Sequence, residues 1–440
     1  MMMISSIIFI VLLLAASLLF AKNVKTIIRN IKLGKGLNRS DRKKERFMLM
    51  AKVALGQSKM VVRPVSGLLH ILVYVGFIII NIEVLEIILD GILGEHRLFS
   101  FLGSFYYFLI ASFEILALLV LVACVIFLIR RNVIRLKRFS GVEMTAWPKS
   151  DANYILVTEI LLMSAFLFMN AADLALQNLG SDHYVMVGTF PISGILVSVV
   201  ESMNEGSLIM LERSLWWFHI VGIFAFLNYL PYSKHFHILL AFPNVFYSKL
   251  EPKGQLDNMA AVKKEVELMF DPAADPYAAP AEPQGEPSRF GAKDVTDLTW
   301  KQLMDSYTCT ECGRCTDVCP ANQTGKLLSP RKIMMDTRDR LTEVGKGIDK
   351  NGKDFNDGKS LLRDYISEEE LLACTSCNAC TDACPVNNDP LSVIVDLRRY
   401  LIMEESKSPA EWSGIFTNIE NNGAPWQFAQ ADRLNWKNEE

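Results

Sequence analysis

A mainly α-helical fold in two parts is predicted for this 440-residue chain: a five-span transmembrane helical bundle followed by a small helical domain rich in cysteine. Three observations carry the prediction. Five apolar stretches are each long enough to cross a bilayer, which takes about 20 residues of helix. The loops between them alternate in basic charge. Eight of the nine cysteines fall in two short runs well behind the last apolar stretch. The overall composition, 51% hydrophobic with a formal net charge of −3, averages an apolar front half with a polar back half.

The apolar stretches are residues 4–21, 65–89, 105–129, 155–176 and 215–242. The first has no basic residue before it, while Lys22, Lys25 and Arg29 follow it. That order reads as an uncleaved anchor with its N-terminus outside, not as a signal peptide. Residues 22–63 hold thirteen Lys or Arg against two acids, and the segment after the third span is also basic (Arg130, Arg131, Arg135, Lys137, Arg138). The loops after spans two and four offer only Arg97 and Arg213. By the positive-inside rule the basic loops and the C-terminal half of this multi-pass membrane protein lie in the cytoplasm.

The domain plan is then a membrane domain over 1–250, a Pro/Ala-rich linker over 251–298, a cysteine domain over 299–405 and a tail over 406–440. Residues 271–287 contain five prolines and almost no large hydrophobe, the composition of an extended linker. Helices are expected over 329–341, 361–372 and 390–405. The tail carries Trp412, Trp426 and Trp436, which are expected to pack on this domain or on a partner.

The cysteine runs are Cys309, Cys312, Cys315, Cys319-Pro320 and Cys374, Cys377, Cys380, Cys384-Pro385. Both have the spacing C-x2-C-x2-C-x3-C-P that holds a pair of [4Fe–4S] clusters in bacterial ferredoxins, the fourth cysteine of each run serving the other cluster. Cluster one is therefore assigned to Cys309, Cys312, Cys315 and Cys384, and cluster two to Cys374, Cys377, Cys380 and Cys319. Structural zinc usually takes paired C-x2-C knuckles instead. The ninth cysteine, Cys124, lies alone in an apolar helix and reads as a small buried hydrophobe. Clusters of this kind call for a reducing compartment, so disulfides are not expected.

His70 opens span two, and His219 and His237 lie eighteen residues apart on span five. On one continuous helix that is five turns and about 27 Å, nearly a bilayer's hydrocarbon thickness. With spans two and five antiparallel, His70 is level with His237 near the inner leaflet, as the axial pair of one haem b requires. His219 has no partner at the matching depth of span two, so a second haem is not expected there. It is left to bond a quinone or a neighbouring helix. His96 and His183 fall in outer loops with no role assigned.

Spans one to five resemble the membrane cytochrome b subunit of respiratory nitrate reductase, through His70 on span two and His219, Pro231 and His237 on span five. That family carries a second histidine on span two where this chain has Ile80. The C-terminal half resembles the membrane-bound heterodisulfide-reductase-like iron–sulfur oxidoreductases, through Trp300 to Cys309 and Thr324 to Arg331. The order of parts is similar to the front half of bacterial electron-transfer-flavoprotein:menaquinone oxidoreductases. This resemblance implies a place in the bacterial inner membrane, a ferredoxin-like two-cluster domain, menaquinone as substrate and electron transfer flavoprotein as a donor. It also implies that the Cys-Cys-Gly-type iron–sulfur region is supplied by a separate subunit.

Five acids fall within spans: Glu83, Glu86, Glu114, Glu159 and Asp173. Each costs about 2.5–3.5 kcal/mol at mid-membrane on insertion scales. Interfacial snorkelling is expected for Glu86, Glu159 and Asp173, whereas Glu83 and Glu114 are candidates for proton exchange with a quinone. No strand-to-helix G-x-G-x-x-G marks a dinucleotide fold. Scattered basic residues without interleaved aromatics point away from nucleic acid. The sequence thus predicts an electron-transfer subunit of a quinone-linked oxidoreductase, running between a cytoplasmic redox partner and membrane quinone in either direction. A membrane-anchored redox sensor, or an electron-transfer subunit of heterodisulfide or sulfur metabolism, is the alternative.

Overall fold

The computed structural model of the chain describes residues 2–184, 186–272 and 289–438. Among these the fold is helical, and the only β pairing consists of isolated bridges. Five helices are long and apolar enough to cross a membrane, as expected. They are Met2–Ile31, Pro64–Leu93, Ser104–Asn132, Trp147–Leu179 and Glu205–Tyr229. Local chemistry sets several of their ends. Proline stands in the first turn of spans two and four, where its missing N–H costs nothing. Gly94 and Gly180 close the same two helices at φ +76° and +73°, a conformation other residues resist. The side chain of Asn204 caps span five by accepting from the Ser207 N–H at 2.9 Å.

The spans pack closely through small residues. A Cβ at Gly91 would stand 2.8 Å from the Phe9 ring, and one at Gly76 would stand 2.5 Å from the Val120 side chain. A short helix, Ser193–Val200, fills the loop between spans four and five and lies against span four. Cys124 is buried in this apolar interior, in keeping with its reading as a small hydrophobe.

Span one runs ten residues beyond its expected end at residue 21. Its last turns leave the bilayer-sized apolar stretch and enter the core of the cysteine domain. Ile27 and Ile31 pack in one cluster with Leu298, Leu303, Ile333, Leu341 and Leu397. Arg29 bonds Asp349 at 2.9 Å, and the Asn30 amide donates to the Tyr307 hydroxyl at 2.9 Å. The two halves therefore share a hydrophobic core.

Span five departs from the expected continuous helix over 215–242. It ends at Tyr229, passes through two 3-10 turns at Leu230–Tyr232 and Lys234–Phe236, and restarts as His237–Phe246. Pro231 has no N–H for the helix ladder. Asp151 on span four holds the break open, accepting from the Ser233 hydroxyl at 2.6 Å and the Lys234 N–H at 3.1 Å. The five-turn, same-face relation between His219 and His237 is thus overturned. The helix expected over 329–341 continues to Asn351. The one expected over 361–372 splits into Leu361–Asp364 and Glu368–Leu372, because Leu362 and Arg363 leave helical geometry. The third holds as Pro390–Arg399 with a π turn over Tyr400–Glu404.

Part of the expected linker is ordered: residues Ala260–Phe270 form a helix. The Pro/Ala-rich stretch 273–288 lies outside the described residues. The tail forms a helix, Ala410–Asn422, with no buried residue, followed by a 3-10 segment on which Trp436 is exposed.

Polar contacts lock the junction. Arg331, 1% exposed, meets Glu143 of the loop between spans three and four at 2.7 Å. Removing one partner of such a buried pair leaves the other charge uncompensated, at about 3–5 kcal/mol. Glu143→Gln is therefore expected to lower the thermal unfolding midpoint of the detergent-solubilised protein. Substitution of exposed Glu420, by comparison, is expected to leave that midpoint within a degree or two of wild type.

Candidate metal centres

Two cavities in the cysteine domain are each lined by four cysteines. One is bordered by Cys309, Cys312, Cys315 and Cys384, the other by Cys374, Cys377, Cys380 and Cys319. Each set takes three members from one run and the last member of the opposite run. The two loops repeat a backbone pattern. Glu311 and Ser376, just before the second cysteine of each run, have φ of +52° and +55°; Gly313 and Asn378, just after it, have +72° and +63°. These left-handed turns curl each loop around its cavity. Backbone N–H groups point at sulfur, from Asn388 to Cys384 Sγ at 3.2 Å and from Ser376 to Cys374 Sγ at 3.4 Å.

The donor chemistry suits a cationic centre. Burial pushes the Cys309, Cys380 and Cys384 thiols up to about 12, so these groups stay protonated unless a cation compensates the thiolate. The two cavities differ in access. Cys377 at the second is exposed, whereas the loop around the first packs against Lys59 and Arg138 of the segments that join the spans. Around the first cavity, the Arg314 guanidinium donates to the Lys59 carbonyl at 2.6 Å, and the Lys59 ammonium donates to the Cys384 carbonyl at 3.1 Å. Glu311 forms ion pairs with Lys234, at the break in span five, and with Arg338, the latter at 2.7 Å. Although burial opposes it, these two cations hold the Glu311 carboxyl below the usual carboxylate range. Nothing in the sequence pattern marked Glu311 or Lys234, because their pairing joins residues 77 apart.

The structure brings His70 and His237 together, with ring centroids 6.4 Å apart and planes inclined at 43°. Two imidazoles bound through nitrogen to one metal, at about 2.0–2.1 Å each, place their centroids at about this separation. His237 Nδ1 faces the Lys234 carbonyl at 2.9 Å, an arrangement that frees Nε2, while His70 Nδ1 is buried without a hydrogen-bond partner. The broken span, rather than a continuous one, delivers His237 to this point. His235 stands beside it at 5.7 Å between centroids, a neighbour the sequence did not single out.

His219 is buried, with Nδ1 3.0 Å from the Leu162 carbonyl and its ring 5.9 Å from Phe166, both on span four. Glu83 and Glu114 join a different cluster, centred on Arg97. Glu86 and Asp173 belong to it as well and are 2% and 1% exposed, which corrects the snorkelling expected of them. Glu159 is half-buried.

Residues 308–388 match the family model of the 4Fe-4S dicluster domain. Over 99% of its length the chain is 29% identical to a probable iron-sulfur-binding oxidoreductase, FadF, of Bacillus subtilis. It is 26% identical over 92% of its length to the EtfAB:quinone oxidoreductase of Syntrophomonas wolfei. The chain spans 61% and 56% of the lengths of these two relatives. A third of it is 31% identical to a probable membrane-anchored ferredoxin of Chromohalobacter salexigens, of which it covers 24%. No solved structure matches. These findings bear out the resemblance to membrane-bound iron–sulfur oxidoreductases, and they support an electron-transfer role at a membrane.

Gly313 tests the loop geometry directly. A Cβ there would stand 2.5 Å from Arg331 Nη1 and 3.0 Å from the Arg138 carbonyl, on a backbone at φ +72°. Gly313→Ala is expected to reduce the iron bound per chain, measured by elemental analysis of anaerobically purified protein. Gly254→Ala, also at positive φ but in open space, is expected to leave iron content at the wild-type level.

Proposed function

We propose that this chain is the membrane-anchored electron-transfer subunit of a quinone-linked oxidoreductase, relaying electrons between a cytoplasmic redox partner and membrane quinone through two [4Fe–4S] clusters and one haem b. The observation that carries this reading is the exchange of fourth cysteines between the two four-cysteine cavities. Cys309, Cys312, Cys315 and Cys384 hold one cluster, and Cys374, Cys377, Cys380 and Cys319 the other. The approach of His70 to His237 supports their assignment as the axial pair of the haem. When bound, these groups supply one-electron carriers.

The chain's own residues order the relay. Exposed Cys377 marks the second cavity as the side open to a soluble partner, and the contacts of Lys59, Arg314 and Glu311 set the first cavity against the membrane bundle. The name of the Syntrophomonas wolfei relative favours electron transfer flavoprotein as the donor and a quinone as the acceptor, and menaquinone is the quinone proposed here. The tail, with Trp426 and Trp436 about half to two-thirds exposed, is the proposed docking surface for an iron–sulfur partner. His219, Glu83 and Glu114 are the residues proposed at the quinone.

Spectra of variants test the assignment. Cys384→Ser is expected to alter the paramagnetic signal of the cluster held mainly by the first run, and Cys319→Ser that of the other. His70→Ala and His237→Ala each remove one axial imidazole and are expected to abolish the low-spin haem signal. His219→Ala is expected to retain it. A haem signal that survives in both His70→Ala and His237→Ala contradicts the axial assignment, and zinc in place of iron contradicts the clusters.

A further inference from the structure

At the end of the bundle away from the cysteine domain, five buried carboxyl groups surround one arginine. Arg97, 6% exposed, folds back from the loop after span two into the helices. Four of the five carboxyls are fully served as acceptors. Glu86 accepts from the Phe99 N–H at 2.7 Å and the Tyr106 hydroxyl at 2.8 Å. Asp90 accepts from the N–H groups of Arg97 and Leu98 at 2.9 and 3.0 Å. Glu114 accepts from the Ile192 and Ser193 N–H groups at 2.9 and 3.1 Å and from Asn170 at 3.3 Å. Asp173 accepts from Arg97 at 2.7 and 2.8 Å and from Gln177 at 3.1 Å.

Glu83 is the exception. It is 2% exposed, its Oε1 lies 3.7 Å from Arg97 Nη1, and its Oε2 has no hydrogen-bond partner. The charged groups facing it are Arg97, Glu86, Glu114 and Asp173, so four carboxyls share one guanidinium. An acceptor-only carboxylate is poorly served there, and a carboxyl that carries and delivers a proton is well served.

A line of polar groups leads from Glu83 to the surface. Arg97, whose guanidinium keeps its protons, lies between Glu83 and Asp173, and Asp173 Oδ2 lies 3.7 Å from His96 Nε2. His96 also faces Arg97, Arg213 and His183. The His96 and His183 rings stand 5.4 Å apart, and His183 is exposed.

We propose that Glu83 is the proton-transfer group of the quinone site, and that Asp173, His96 and His183 connect it to the membrane face opposite the iron–sulfur domain. The proposal rests on the quinone reading above. In quinone reduction, electrons arrive from the iron–sulfur side. The Glu83 O–H bond breaks as its proton passes to a quinone oxygen, and the carboxylate regains a proton through His183. Each quinone takes up two electrons and two protons in this way, and quinol oxidation runs every transfer in reverse. Electrons and protons therefore leave a quinol toward opposite faces.

Liposomes holding the full chain, a trapped pH dye, and potassium with valinomycin to collapse charge test this. A membrane-permeant menaquinol analogue is the donor. External ferricyanide, which does not cross the bilayer, selects molecules with the iron–sulfur domain outward, once its direct reaction with the quinol is subtracted using protein-free liposomes. The expected result is interior acidification in proportion to ferricyanide reduced. Glu83→Gln is expected to slow that acidification by about a hundredfold, the scale of losing a positioned acid–base group. His183→Ala, at an exposed position that does not threaten folding, is expected to slow it as well. Ferricyanide reduction with protons released only outside, or both variants acidifying at the wild-type rate, overturns the proton path while the quinone reading stands. Absence of ferricyanide reduction by the wild-type chain above the rate of protein-free liposomes overturns the quinone reading and the path with it.

Discussion

The buried carboxylate of Glu311 holds the two halves of the chain in register. It sits inside the first cysteine run, between Cys309 and Cys312, on a backbone at φ +52°. It is 3% exposed and is met by Lys234 from the break in span five and by Arg338 from the long helix Pro330–Asn351. A buried ion pair of this kind is weak evidence for added stability, since a well-packed apolar substitute often does as well. Its value here is positional. The backbone carbonyl of Lys234 also faces His237 Nδ1 at 2.9 Å, so one residue touches both the cysteine loop and the membrane histidine. The same lysine lies 3.6 Å from Asp151, which shapes the break that makes room for it.

From this clamp the polarity of the molecule follows. On one side the shared core of span one and the cysteine domain, together with the Arg331–Glu143 pair, fixes the first cavity against the bundle. The second cavity then faces outward, with Cys377 at its edge. At the opposite end, Arg97 gathers carboxyls that the low dielectric of a bilayer would otherwise make very costly. Its guanidinium is served by Asp173 and Asn170, and its own backbone N–H serves Asp90. The cysteine loops with the His70–His237 pair, and the buried carboxyls around Arg97, thus occupy different ends of one helical frame.

Much of this was readable in the sequence where the signal is local. Cysteine spacing alone anticipated the partition of the two cavities, because a fixed run and its proline dictate which sulfur turns away. Five spans were legible from apolar length, although span one hid its true end: Lys22, Lys25 and Arg29 look like a stop yet continue the helix into the cysteine domain. His237 was anticipated beside His70 on the assumption of an unbroken helix, and Pro231 with Asp151 produces the meeting by another route. Long-range pairings left no local trace. Arg97 read as an ordinary loop charge, and Glu86 and Asp173 as snorkelling acids, since nothing in the pattern told that the loop folds inward. His96 and His183, 87 positions apart in the chain, gave no sign that their rings would meet.

Electron exchange between quinone and the chain's redox groups is the central claim, and reduction by quinol tests it most directly. A menaquinol analogue is added anaerobically to the purified, oxidised full chain, and its visible spectrum is followed. The account predicts that the haem bands shift to the reduced form and that the broad iron–sulfur absorbance bleaches. A spectrum that stays oxidised under quinol yet responds fully to dithionite would contradict it.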